Sequence, residues 1–342
     1  MIKKYFVEHG MKKSLGVDFS SEMILKSDQR MIGYTVQRIG VAILIVLLAT
    51  TALFVMIQFV PGDPANVMLG PRATPELKEA LRERLHLNDP IYIQIYYFFL
   101  GLLQGDLGVD LTSNRPVTSI IAEQAPYTAT LVISVLLVAL MGIPIGTYAA
   151  VHRGGSFDQI SGVVSVSIIA VPPIVIGLYL ILLFAIQLRW LPAIGAGEGF
   201  WEIIKHLVLP TLAIGLTWIG YVSRLVRASV IEVLMQNHVK TARAFGIPEN
   251  KILRRYVLRV ALPATVTVLG VSIGFILSTA VIVEILFSRP GIGKLIYDAV
   301  ISRNYPVVMG TVLAGTIFIV VATTLSDLLN VMLDPRSRKL NS

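Results

Sequence analysis

Six stretches of this chain contain no Asp, Glu, Lys or Arg: residues 39–60, 127–151, 159–188, 207–223, 261–283 and 305–326. About 20 helical residues cross the roughly 30 Å hydrocarbon core of a bilayer, so the pattern predicts an all-α integral membrane protein with six transmembrane helices. Strands of a membrane barrel are about ten residues of alternating polarity, and the runs show no such alternation. The fourth run is the shortest and holds Pro210. It is expected to continue past Arg224 to about residue 229, with the charge snorkelling to the interface. Pro172-Pro173 sits at the centre of the third run. Two adjacent prolines remove two backbone donors and predict a break there, freeing carbonyls that a cavity can use; a kink held by helix packing fits equally.

The longest polar segment, 61–126, holds Thr74-Pro75-Glu76, an N-cap followed by a proline and an early acid. Leu77, Leu81 and Leu85 follow at a spacing of four, predicting a short amphipathic helix. Tyr92, Tyr96, Tyr97, Phe98 and Phe99 then precede a Gly-Asp-Leu-Gly turn at 105–108. That composition suits the headgroup region, where aromatic rings collect, and suits packing on the tops of the spans equally well.

The segment 224–263 is basic and carries one Gly–Pro bend. Gly246 closes a helix and Pro248, beside Glu249, opens the next. In the first helix Val239, Ala242 and Phe245 recur at i, i+3 and i+6, flanked by Lys240 and Arg243. A helix this short is marginal in water, so the face needs a surface to dock against. In the second, Ile252, Leu253, Tyr256, Val257 and Val260 make an apolar stripe among Lys251, Arg254, Arg255 and Arg259. Cations so placed also fit a helix lying on anionic lipid.

Composition agrees with a membrane protein: of 342 residues, 15% are charged, where a soluble domain carries about 25%. The net charge of +8 does not point to nucleic acid, because the basic residues lie beside spans. With both termini on the cytosolic side, the inner segments hold 19 Lys and Arg and the outer ones 10, half of the latter in the long segment 61–126. Long loops count little in the positive-inside rule, so both termini and the basic loop are expected in the cytosol. Residues 1–30 are polar and are expected to form a disordered extension, or to reflect an upstream start codon choice, ahead of a membrane body at 31–338, with 339–342 as a tail; no cleavable signal peptide is expected.

The chemistry these residues exclude is informative. Cysteine is absent and the five His are scattered, leaving no disulfide framework and no Cys-based metal site. Gly291-Ile292-Gly293-Lys294 lacks the spacing of a phosphate loop. No charge sits in mid-span, which argues against a self-sufficient ion-coupled carrier, and no paired acids or Ser–His arrangement lies within a span for an intramembrane enzyme.

Four separated stretches resemble one family, the inner-membrane permease subunits of ATP-binding-cassette importers, and within it the B-type subunit of the dipeptide, oligopeptide and nickel branch. Lys240-Thr241-Ala242-x-x-x-Gly246 is similar to the family's Glu-Ala-Ala-x-x-x-Gly loop, with Lys240 standing where the general motif has an acid. Pro61-Gly62-Asp63-Pro64-Ala65, Glu284-x-x-Phe287-x-x-Pro290-Gly291-x-Gly293 and Asp334-Pro335-Arg336 resemble three further signatures of the branch. The resemblance spans 31–338 and implies a MetI-like type I permease in the bacterial inner membrane, moving peptides by alternating access. A nickel complex or another small solute is the alternative cargo. It also implies a homologous C-type permease partner, an extracytoplasmic substrate-binding protein, and two ATP-binding subunits that hold ATP and Mg, with no cofactor in this chain. The coupling element would be Val239, Lys240, Thr241, Ala242, Arg243, Ala244, Phe245, Gly246, Ile247, Pro248 and Glu249.

Candidate pathway residues are Pro172, Pro173, Thr217, Tyr221, Ser278, Thr279 and Glu284. Hydroxyls within spans also bond to their own backbone or join helices. For Glu284, a local ion pair with Arg289 competes with recognition of a substrate amine.

Overall fold

The computed structural model describes residues 40–56, 70, 73–84 and 88–333. Expectations placed on 1–30, Pro61-Gly62-Asp63-Pro64-Ala65, Leu85, Asp334-Pro335-Arg336 and the tail lie outside them. Among the described residues there is no strand, only an isolated bridge between Val109 and Pro116. Gly40–Met56 is helix α1. From Ala49 onward the chain forms one unit, to which the following applies.

Helix α2, Pro75–Arg84, starts as its sequence predicts: Leu77 N donates to the Thr74 hydroxyl at 3.3 Å. Helix α3, Ile91–Leu103, carries the aromatic cluster, with Tyr92 and Tyr96 exposed and Phe98 edge-on to Phe54. Three long helical segments contain the second, fourth and fifth uncharged runs. The first is Val117–Val151, made of α4 (Val117–Ala139) and α5 (Gly142–Val151). The second is α8, Phe200–Leu234, which carries Pro210 inside it and continues through Arg224 and Arg227. The third is Glu249–Leu286. Here the structure differs from the sequence reading, which separated a juxtamembrane helix from the fifth span. The short α10 (Glu249–Ile252) runs through a wide π-helical turn, Leu253–Val257, straight into α11 (Leu258–Leu286). The sixth run lies in α13, Tyr305–Leu333.

The third run forms two helices, α6 (Ser156–Ala170) and α7 (Pro173–Leu180, continued to Gln187), bent by 101°. A residue preceding proline is driven from helical to extended geometry. Val171 and Pro172 both precede one, and their ψ angles are 125° and 139°. The described residues thus give four helices long enough to cross a bilayer, plus this bent pair.

Helix α8 is the central element, and α4 to α7 and α11 all pack on it. One cluster joins Val222, Val226, Val230 and Val233 of α8 to Val239, Ala242, Ile252 and Val257 around the basic loop. A second, toward the other end, joins Leu131 and Val135 to Leu209, Ile214, Ile276, Val283 and Phe287. Helix α5 reaches α8 through Gly142 and Gly146, a Gly-x-x-x-Gly pair, the spacing that lets helix backbones meet. A Cβ on Gly142 would lie 2.7 Å from the Ile219 carbonyl oxygen and 2.9 Å from Ser223 N. Gly142→Leu is therefore expected to force the two helices apart and destabilise the fold by about 3 kcal/mol or more, the upper end for overpacking. Size-exclusion profiles in detergent would check this; a monodisperse variant at parental yield would show that the contact is dispensable.

Candidate functional site

The basic loop follows α8 directly. Helix α9 spans Asn237–Ala244, Phe245 ends it, and Gly246 takes a φ of +71°. Gly246 N donates to Arg243 O at 2.9 Å and Ile247 N to Ala242 O at 3.2 Å. These two bonds are the Schellman closure, which requires a left-handed residue at the position of Gly246. Pro248 then turns the chain into α10, with its carbonyl accepting from Lys251 N and Ile252 N. Arg243 clasps Glu249 across the bend, Nε to Oε1 at 2.7 Å and Nη2 to Oε2 at 3.3 Å. That hydrogen bond holds the Arg243 guanidinium above its usual pKa. Both side chains are exposed, so the pair orients the bend and adds at most about 1 kcal/mol.

The apolar face predicted for this loop is divided. Val239 and Ala242 are buried against α8, Ile252 and Val257, and Ile247 packs beside them. Phe245 is 80% exposed. The helical period does not reach it, because α9 ends at Ala244. Lys240, Thr241, Arg243, Ala244, Pro248 and Glu249 are also exposed. The result is a short helix anchored from beneath, presenting cations and one large aromatic ring.

The pathway candidates have differing surroundings. Pro172 is exposed at the elbow, with Pro173 half-buried. Tyr221 is half-exposed and edge-on to Trp218. The Thr217 hydroxyl is buried without a hydrogen-bond partner. Ser278 and Thr279 donate to the carbonyls of Gly274 and Phe275 four residues back, at 3.0 and 2.8 Å. An apolar cavity of about 220 Å³ between α3, α4 and α13 is lined by none of these residues.

Glu284 is fully buried near the end of α11. Oε1 accepts from the Thr128 hydroxyl at 2.6 Å, and Oε2 accepts from Gly293 N and Lys294 N at 2.8 and 3.1 Å. Those amides open helix α12, Ile292–Ile301, so the carboxylate is a remote N-terminal cap placed where the helix dipole favours an anion. The Thr128 oxygen accepts in turn from Ile292 N at 2.8 Å. Gly291 and Gly293 make room for the carboxylate, since a Cβ at either would run into Glu284. Phe287 and Arg289 in the same stretch are buried. Arg289 Nη2 is 3.4 Å from the Thr130 hydroxyl and its guanidinium lies 5.9 Å from the Tyr127 ring centre.

Sequence reasoning passed over Thr128 and a second polar pair. Asp158, in the first turn of α6, accepts from Arg227 through both Nε and Nη2, and from Gly154 N at 2.9 Å. A cation within a long apolar helix is a signal to look for its partner, and Arg227 was such a cation.

Long apolar helices, a broken helix among them and a basic loop anchored from beneath define a polytopic membrane protein. Residues 142–339 match the family described as the binding-protein-dependent transport system inner membrane component, and residues 31–132 match the N-terminal part described for the same components. The chain belongs to this family, as a permease component of the bacterial inner membrane. It is 33% identical over 309 residues to the glutathione transport system permease protein GsiC of Escherichia coli (strain K12), covering 90% of this chain and 99% of that one. The same identity and coverage relate it to the protein of that name from Shigella flexneri serotype 5b (strain 8401). Among solved structures, an inward-facing conformation of the MetNI methionine ABC transporter matches with a TM-score of 0.54, at 16% identity over 63% of this chain and 96% of that chain. At that identity the likeness concerns the fold alone.

Proposed function

We propose that this chain is one of two homologous permease subunits in an ATP-driven importer of peptides, and that residues 239–249 form the element on which a partner ATPase seats. The observation that carries the reading is Phe245, exposed at 80% on a helix whose other apolar residues, Val239 and Ala242, are already satisfied from within. An exposed aromatic flanked by Lys240 and Arg243 has the composition of an interface anchor. With no phosphate loop in its sequence, the chain relies on partner subunits to bind ATP and Mg. The second permease is of the C type, two ATPases dock from the cytosol, and a substrate-binding protein delivers cargo from outside. The positive-inside count supports placing the basic loop in the cytosol. Glutathione, the cargo in the relatives' names, is a small peptide, which favours peptides over a nickel complex.

Phe245→Asp tests the docking directly. The variant is expected to insert in the membrane normally, while the ATPases recovered with it fall at least about thirtyfold, as for loss of an anchor contributing roughly 2 kcal/mol. Full ATPase recovery with the variant would remove the loop from the interface.

A further inference from the structure

Helix α6 packs on α8 while most of its surface is exposed. Of its 15 residues the buried ones are Asp158 and Ser165, and each meets α8. Ser165 lies where the chain comes close to Gly220, whose Cβ would sit 3.1 Å from the Ser165 carbonyl oxygen. Asp158 is the stronger hold: a 6% exposed carboxylate forked by Arg227, with Nη2 at 2.8 Å, and also accepting from Gly154 in the turn before the helix. A planar guanidinium on a carboxylate fixes orientation as well as distance. Apolar contacts between helices can slide; this one cannot without breaking.

The position of the pair matters as much as its geometry. Arg227 lies seven residues, about 10 Å at 1.5 Å per residue, before the end of α8 at Leu234, so it rides on the end of α8 that carries the basic loop. Asp158 lies at one end of α6, and the 101° elbow at Pro172-Pro173 at the other. Beyond the elbow α7 packs on the far end of α11, where Gly177 leaves room for Leu286 and Phe287 beside the Glu284 cap. A continuous mechanical route therefore runs from the loop through α8, the ion pair, α6 and the elbow to the Glu284 end of the protein.

We infer that Asp158 and Arg227 are positioning residues for transport: the pair carries displacement of the loop-bearing end of α8 into α6 and turns it about the proline elbow. This rests on the reading of 239–249 as the ATPase seat. The test is a reconstituted complex of the full chain with its partner permease, ATPases and binding protein, measuring ATP hydrolysed and peptide imported in the same vesicles. Asp158→Asn, Arg227→Gln and the double variant are compared with the parent, with Arg227→Lys as the conservative form and Phe245→Asp as a control on the loop. Each single variant is expected to keep complex assembly and hydrolysis near parental levels while ATP consumed per peptide imported rises about tenfold, within the range spanned by coupling free energies. The double variant should be no worse than either single one, and Arg227→Lys should fall between. The inference is overturned if import stays tightly coupled in the single variants, or if import and hydrolysis fall together in proportion to folded complex. If Phe245→Asp leaves ATPase binding and coupling intact, it is the loop reading that fails.

Discussion

Gly246→Val is expected to cut ATP-dependent uptake by about tenfold while the protein still inserts and folds. Gly246 has a φ of +71°, and no heavy atom lies within 4 Å of where its Cβ would be. The substitution therefore meets no steric clash from neighbours, and its whole effect is conformational. A β-branched residue in the left-handed region is an outlier, and for an ordinary L residue that geometry costs roughly 1–2 kcal/mol. The cheapest relief is to give up the two bonds that close α9, Gly246 N to Arg243 O and Ile247 N to Ala242 O, after which Phe245 is no longer presented in one orientation. A cost of that size depopulates the closed loop by about tenfold. Asn enters the left-handed region readily, so Gly246→Asn should keep most of the activity. Uptake and ATPase co-purification measured together would check both variants; a Val variant that transports normally with its ATPases bound would sink the coupling assignment.

The second large effect is expected at Glu284. Glu284→Ala leaves the Thr128 hydroxyl and the amides of Gly293 and Lys294 without their acceptor in a fully buried place. Each unsatisfied buried donor costs about 1–3 kcal/mol, so the variant should lose about 3 kcal/mol or more of stability and most of its folded yield. Glu284→Gln, which keeps one acceptor oxygen, should fall between. Gly291→Ala should give a similar loss, because its Cβ would collide with the Glu284 carboxyl, and combining the two changes should add little, as expected for residues in contact. Thermal unfolding in detergent distinguishes this role from a pathway role. If Glu284→Ala melts like the parent yet fails to transport, the carboxylate acts on substrate instead of on α12.

Several of these features were legible in the sequence because local chemistry determines them. Uncharged runs of span length announce membrane helices, and Thr74 ahead of Pro75 announces the start of α2. Gly246 and Pro248 announce the bend because one tolerates left-handed geometry and the other lacks a donor. Pro172-Pro173 announced a break, though not its 101° angle, which the packing of α6 and α7 on neighbouring helices decides. What periodicity could not give was the fate of Phe245: its spacing from Val239 and Ala242 is helical, but the helix stops one residue short of it. Nor could it give the role of Glu284, whose hydroxyl partner Thr128 lies 156 positions away in sequence. Asp158 and Arg227 were hidden for the same reason, 69 positions apart. Pairings of this kind are properties of the folded neighbourhood, and a lone charge in the sequence only marks that a partner must exist.

Helix α8 has 35 residues. At 1.5 Å per residue it is about 52 Å long, against a hydrocarbon thickness of about 30 Å. Even tilted by 20°, a common angle for membrane helices, it spans about 49 Å along the bilayer normal. Part of this strut must stand in the headgroups or clear of them, and the end that carries α9 is the end at which Arg227 braces it. On the proposed reading of residues 239–249, α8 would hold the seat for a soluble partner on a rigid stalk. A flexible tether of equal length would let the partner approach but would absorb its movement; a helix of this length transmits it.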